Sequence, residues 1–280
     1  MSKRLAYFGP PGTNSEEAAL AYAEREGGGF ELVPMPTISA VALAVAAGDV
    51  EQGVVPIENS LEGAINETLD LLIHAEKPVF IRSETVLPIE HLLLARPGTP
   101  REEITVIKSI PVAIAQCREY IAREFPDAEI EAALSTAAAV EAVMERPGAA
   151  AIASRRSAEL YGAEIIDSGI EDRKPNHTRF VAVAAEDHAP TGDDRTSIAF
   201  TFANEDRPGQ LVAALQEFAS RSINLSKIES RPSKVKLGTY IFLVNVDGHR
   251  LDAPLAEALA AIEQRCSIFR VLGSYPRARS

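Results

Sequence analysis

The sequence predicts an α/β protein in two parts. Two α/β lobes around a central cleft occupy roughly residues 1–185, and a ferredoxin-like βαββαβ domain occupies 196–275. Three observations carry this. Short apolar strands alternate with amphipathic helices through the first 185 residues, the rhythm of a mainly parallel sheet covered by helices on both faces. The rhythm breaks near Pro78, where two strand-like runs follow one another. A polar stretch interrupted by Pro190 and Gly192, residues 186–195, reads as a linker.

Leu5 to Phe8 is the first strand, Glu16 to Glu26 a helix and Phe30 to Val33 a strand. A helix from Ser39 to Ala47, a strand from Gln52 to Val55 and a helix from Ile65 to His74 follow. Val79 to Val86 and Ile89 to Ala95, split by Pro88, are expected to cross into a second sheet. Alternation resumes with a strand at Ile104 to Ile107, a helix from Val112 to Glu124 and a strand near Ala128 to Ala132. A helix from Thr136 to Glu145, a strand at Ala149 to Ala153 and a helix from Ser154 to Tyr161 lead to Glu164–Ile166. This divides into lobes of roughly 1–77 plus 165–185 and 78–164, and clefts between lobes take small ligands. After the linker come a strand at Ser197 to Phe202, a turn at Asp206 to Gly209, and a helix from Gln210 to Arg221. That helix carries an apolar stripe of Leu211, Val212, Leu215, Phe218 and Ala219. Strands at Asn224 to Arg231 and Thr239 to Val246, a helix from Pro254 to Gln264 and a strand at Ser267 to Leu272 complete a split βαβ unit.

Composition narrows the function. With 280 residues, 46% apolar and 24% charged, the chain is an ordinary globular protein. A net charge of -12 argues against a nucleic-acid surface and leaves an anionic ligand dependent on a local pocket. Met1-Ser2-Lys3-Arg4 leads into a strand without a signal-peptide core, and no apolar run reaches bilayer length, so a cytoplasmic location with no membrane contact is expected. Cys117 and Cys266 lie far apart, and the five histidines show no metal spacing, so no metal is expected.

Three loops leave a strand and enter a helix, where unpaired backbone N–H groups and the dipole favour a carboxylate. The first is Gly9-Pro10-Pro11-Gly12-Thr13-Asn14-Ser15-Glu16, with Thr13 and Glu16 at capping-box spacing. It lacks the pattern of a phosphate loop or a dinucleotide fingerprint. The second, Pro56 to Gly63, offers Asn59 and Ser60; the third, Leu134 to Ala139, offers Ser135 as an N-cap beside Thr136. Asn176-His177-Thr178-Arg179-Phe180 places a hydroxyl next to a guanidinium at a loop-to-strand junction, suited to a hydroxylated anion. His91 reads as a packed histidine, Arg155 and Arg156 as a solvated helix face, and no nucleophile triad is evident.

Together these segments resemble prephenate dehydratase. The matching stretches are Tyr7 to Thr13, Val55 to Ser60, Ser135 to Ala139 and Asn176 to Phe180. Gly209-Gln210-Leu211-Val212 and Glu229-Ser230-Arg231-Pro232 are similar to the two phenylalanine-site motifs of an ACT domain. Gln210 stands where the family usually has Ala, and Asn14 where an aromatic residue is common. The resemblance implies a periplasmic-binding-protein-like catalytic part and decarboxylating dehydration of prephenate to phenylpyruvate without a cofactor. Thr178 and Arg179 are its implied catalytic residues: Thr178 donates to the leaving hydroxyl and Arg179 neutralises a carboxylate. Thr13, Asn59, Ser60, Ser135, Thr136 and Asn176 are implied substrate contacts. In a regular strand Thr178 and Arg179 point to opposite faces, so both reach substrate only if the strand bends. The resemblance further implies L-phenylalanine as allosteric effector, bound by Gly209, Leu211, Val212, Asn224, Leu225, Glu229, Ser230 and Arg231, in a homodimer or homotetramer. Arogenate dehydratase and a non-catalytic amino-acid-binding regulator are the competing readings. A fused chorismate mutase is not expected, because no long basic helix precedes Leu5.

Overall fold

The computed structural model describes residues 3–203, 207–234 and 238–278. Asp206, expected in the turn before Gly209, lies outside them, as do Met1 and Ser2. The chain runs β1 (Lys3–Phe8), α1 (Asn14–Arg25), β2 (Phe30–Met35), α2 (Ile38–Ala47), β3 (Gln52–Asn59), β4 (Gly63–Ala64) and α3 (Asn66–His74). It continues through β5 (Phe80–Pro88), β6 (Leu92–Ala95), β7 (Val106–Ser109), α4 (Pro111–Gln116), α5 (Arg118–Glu124), β8 (Glu129–Ala132) and α6 (Thr136–Met144). Then come β9 (Ala149–Ala153), α7 (Arg155–Tyr161), β10 (Glu164–Ser168) and β11 (His177–Ala184). The last part holds β12 (Asp194–Phe202), α8 (Gln210–Ala219), β13 (Leu225–Pro232), β14 (Tyr240–Asp247), α9 (Ala253–Glu263) and β15 (Cys266–Pro276).

The chain forms two compact units, one of Met1–Val41, Val54–Ile65 and Thr85–Phe180, the other of Ala42–Gly53, Asn66–Glu84 and Val181–Ser280. Two sheets come from residues up to Ala184. One has the order β2-β1-β3-β11-β5, with β4 on β3; the other has the order β10-β6-β9-β7-β8. These sheets move the lobe boundaries away from 78 and 165. Strand β5 stays in the first sheet up to Pro88, and the crossing occupies Ile89–His91. On the return, β10 pairs antiparallel with β6 and still belongs to the second sheet. The strand Ala149–Ala153 is almost all alanine, a weak strand former. It holds because β9 is central and covered on both faces. Ala150 and Ile152 pack into the α4–α5 side, and Ala149, Ala151 and Ala153 into the α6–α7 side.

The helix expected over 112–124 is two helices broken at Cys117. The cause is distant in sequence. The Asp172 carboxylate accepts from the N–H groups of Glu119 and Tyr120 at 2.9 and 3.1 Å, capping a new helix start that the local sequence does not announce.

In the second unit the sheet order β13-β14-β12-β15 is ferredoxin-like. Phe200, Phe218, Val244, Val246, Leu259 and Ile262 form its core between sheet and helices. The sheet's other face is covered by α3. There Arg231, nearly fully buried, donates to Asp70 at 2.6 Å and to the Asn66 carbonyl at 3.5 Å, and Lys234 reaches the same Asp70 at 2.5 Å. Arg270 donates to the Ala75 carbonyl at the end of α3. Removing one partner of a buried pair leaves the other charge desolvated and alone. Asp70→Ala is therefore expected to lower the thermal midpoint by roughly 5 °C. Scanning calorimetry checks this, and an unchanged midpoint would show that the pair contributes nothing net.

The expected linker is partly a strand and otherwise a fastened strap. Asp194 and Arg195 already belong to β12. The Asp187 carboxylate accepts from Ser274 N–H and from Arg250 Nη2, both at 3.0 Å. The Asp194 carboxylate accepts from Thr191 N–H, Thr191 Oγ1 and Gly192 N–H. A stretch rich in short polar residues looks like a tether in sequence, yet these side chains tie its backbone down.

Candidate active site

In the first unit, a cavity of about 740 Å³ opens where the loops before α1 and α6 approach the start of β11. Phe8, Pro34, Met35, Pro56, Ile110 and Phe180 give it an apolar wall, and Thr13, Asn14, Ser15, Ser135, Thr136 and Thr178 supply its polar groups. None of the described residues lining it is charged.

Both helix starts are capped by their own side chains. Thr13 Oγ1 accepts from Glu16 N–H, and Ser135 Oγ accepts from Ala138 N–H. The remaining first-turn N–H groups, those of Asn14 and Ser15 on α1 and of Thr136 and Ala137 on α6, have no intrahelical acceptor. They form two concentrations of positive partial charge at one cavity. Ser15 is buried at its edge.

Helix α7 of the second lobe grips the Gly12 loop. Ser154 Oγ and Ser157 Oγ both donate to the Gly12 carbonyl, at 3.1 and 2.5 Å. Gly12 has φ +86°, and a Cβ there would lie 3.2–3.3 Å from Ser157, Ala137 and Tyr161 atoms, so only glycine suits the position. Glu16 accepts from Gly12 N–H at 2.8 Å and from Arg156 Nε at 2.9 Å. Burial alone would raise the Glu16 carboxyl; the Arg156 and Gly12 hydrogen bonds outweigh it and hold the group below its ordinary range. Arg156 is therefore a lobe-to-lobe contact rather than a solvated residue, whereas Arg155 is exposed and pairs with Glu90.

Strand β11 keeps the in-and-out alternation of a regular strand at this point. Thr178 and Phe180 line the cavity, and Arg179 faces away, ion-paired with Glu58 at 3.4 Å and only 13% exposed. Strict alternation along the strand puts neighbours on opposite faces. Ser60 also lies outside the cavity lining: its N–H donates to the His177 carbonyl and its hydroxyl accepts from His177 N–H, stitching the end of β3 to the start of β11.

Asn59 and Asn176 lie behind Thr178 rather than in the lining. Asn59 Oδ1 accepts from the N–H groups of Leu61 and Glu62, at 2.9 and 3.0 Å. Backbone N–H groups only donate, so the Asn59 amide has one orientation, with Nδ2 towards Thr178 Oγ1 (3.0 Å) and Asn176 Oδ1 (2.8 Å). The Thr178 oxygen is thus an acceptor towards the protein, and among the described residues none accepts from its hydroxyl. Asn176 Nδ2 donates in turn to Gln116 Oε1 at 3.1 Å, and Gln116 Nε2 donates to Glu62 Oε1 at 3.0 Å. Sequence reading missed Gln116 entirely. It sits in an ordinary amphipathic segment, and its 60-residue separation from Asn176 leaves no local signal.

The expected effector residues divide. Gly209 and Leu211 line a cavity of about 240 Å³ with Phe202, Arg207, Gln210, Gly238, Tyr240 and Phe242. Val212 and Ser230 are exposed. Asn224 donates to Asp247 at 3.1 Å, Leu225 packs against the domain core, and Glu229 pairs with Lys227 at 3.1 Å. Arg231 is engaged by Asp70 on the sheet face that α3 covers.

A family model described as prephenate dehydratase matches residues 5–188. The chain belongs to the prephenate dehydratase family. A second model, described as ACT domain, matches residues 198–264. The prephenate dehydratase of Mycobacteroides abscessus is 42% identical, covering 98% of this chain and 90% of that one. The structure of the Arthrobacter aurescens prephenate dehydratase in complex with L-Phe is 35% identical with a TM-score of 0.88, covering 98% and 90% of the two chains. A structure described as GqqA, a novel type of quorum quenching acylase, is 31% identical with a TM-score of 0.84, covering 99% and 98%.

Proposed function

We propose that this member of the family converts prephenate to phenylpyruvate, and that L-phenylalanine regulates it through the ACT domain. Prephenate is a dianion with a ring hydroxyl. Breaking its ring carboxylate bond releases carbon dioxide, and the electron pair left behind expels the hydroxyl and makes the ring aromatic. The departing oxygen needs a hydrogen-bond donor, and the two carboxylates need positive partial charge. The observation that carries the reading is the Thr178 hydroxyl: it accepts from Asn59 and lines the cavity, so its hydrogen is left for a substrate oxygen. The N-termini of α1 and α6 supply the positive partial charge from backbone N–H groups, with Ser15 and Thr136 hydroxyls beside them. Thr13 and Ser135 act as caps that keep those N–H groups aimed. Arg179, paired with Glu58, supports β11 and contributes only a more distant positive potential.

An acyl-transfer enzyme activates its nucleophile with an adjacent base. Among the described lining residues there are hydroxyls but no histidine, carboxylate, lysine or cysteine. The cavity therefore suits elimination from an anion better than acyl transfer.

The ACT domain carries the regulatory reading, with Gly209 and Leu211 beside a small cavity. Effector binding alters turnover by favouring one of two populations with different effector affinity. A homodimer or homotetramer acting in the cytoplasm completes the proposal. Among the described residues no helix is long and apolar enough to cross a membrane.

The test is phenylpyruvate formation, followed by ultraviolet absorbance, from purified protein given prephenate, with and without phenylalanine. Turnover is expected, and phenylalanine is expected to change it. Phenylalanine made from arogenate with no turnover of prephenate would transfer the reading to the arogenate enzyme. Silence on both substrates would overturn catalysis.

A further inference from the structure

His91 lies on the crossing between β5 and β6, away from the cavity lining, and is 6% exposed. Its backbone is pinned on both sides: its N–H donates to Glu171 Oε2 at 3.0 Å, and its carbonyl accepts from Ile170 N–H at 3.1 Å. The imidazole Nε2 meets Gln116 Oε1 at 2.8 Å. The orientation of Gln116 is set from two directions. Glu62 accepts from its nitrogen, and Asn176 donates to its oxygen. The atom facing His91 is therefore an acceptor, and His91 Nε2 must carry a hydrogen.

We propose that His91 is a positioning residue for the reaction: its Nε2–H locks Gln116, and through Asn176 and Asn59 it keeps the Thr178 hydroxyl aimed into the cavity. The inference rests on the dehydratase reading above for its kinetic consequence. Every amide in the path has one orientation because each end is closed, by Glu62 and His91 at one end and by the N–H groups of Leu61 and Glu62 at the other. Without the imidazole donor, Gln116 Oε1 keeps its orientation but loses one of its two hydrogen bonds, so its side chain is held less tightly, and the pairing that runs through Asn176 and Asn59 to Thr178 loosens with it.

The experiment compares His91→Phe, which removes the donor, with His91→Gln, whose amide nitrogen can replace it. Turnover of prephenate by His91→Phe is expected to fall about tenfold, with KM within about twofold. His91→Gln is expected to keep most of the activity. In a Gln116→Leu background, His91→Phe is expected to cost nothing further, because the path is already cut. Unchanged kcat in His91→Phe, equal loss in both His91 variants, or a full additional loss in the Gln116→Leu background would overturn the proposal. A separate readout covers folding and substrate identity. Nitrogen-15 NMR of the wild-type imidazole is expected to show the Nε2–H tautomer, and an Nδ1–H tautomer would refute the network. If wild-type protein leaves prephenate untouched, the dehydratase reading fails, while the tautomer still decides the network.

Discussion

Thr178→Ala is expected to reduce turnover of prephenate by about a hundredfold or more while leaving KM within a few-fold. The hydroxyl is the cavity-lining group whose oxygen is held from behind by an amide of fixed orientation, so its hydrogen is directed before substrate arrives. A preorganised donor matters most where charge develops, here on the departing ring oxygen in an apolar surround. In the proposed binding mode the carboxylates lie elsewhere, at the two helix N-termini, so affinity is expected to survive. Thr178→Ser keeps the hydroxyl and should retain much of the rate, whereas Thr178→Val keeps the shape and should not. Steady-state kinetics of the three variants, with thermal midpoints as a folding control, check this. Near-normal turnover in folded Thr178→Ala would remove Thr178 from the chemistry.

Gly273→Ala is expected to produce the largest loss of stability of any single methyl added to the described glycines. Gly273, on β15, has φ +148°, and a Cβ built there would stand 2.1 Å from the Ile81 carbonyl oxygen and 2.7 Å from its nitrogen. Both are backbone atoms of β5, and no side-chain rotation relieves the overlap. Either β15 or β5 must shift, at a cost of about 3 kcal/mol or more. The measurement is soluble yield and the denaturation midpoint of Gly273→Ala beside Gly192→Ala. Gly192 also has positive φ, but open space surrounds it. Equal midpoints for the two variants would show that β15 does not approach β5 this closely.

Local signals made much of the architecture legible. Short apolar runs announced the strands, and Thr13 and Ser135 announced two helix starts, because a cap acts on groups three residues away. Thr13, Ser135, Thr136 and Thr178, each noticed as a polar residue at a loop, line one cavity. Arg179 was noticed for the same reason and faces the other way; residue type alone cannot report which face of a strand is covered. The helix break at Cys117 escaped notice because its cap, Asp172, is 53 residues from Glu119.

What the sequence by itself determined is most of the elements, their order, the capped helix starts and, through its motifs, membership in a family with an ACT domain. These depend on the period of burial and on contacts within a turn or two, which a linear chain displays directly. Only the tertiary structure decided which polar groups are left over. Asn59 looks like a ligand contact until the N–H groups of Leu61 and Glu62 orient it towards Thr178. Arg231 looks like an effector contact until Asp70 claims it, and Gln116 looks like nothing until His91, Asn176 and Glu62 converge on it. The physical reason is that hydrogen-bond capacity is finite. A buried polar atom engaged by the fold is no longer available to a ligand, and its partners come from distant parts of the chain.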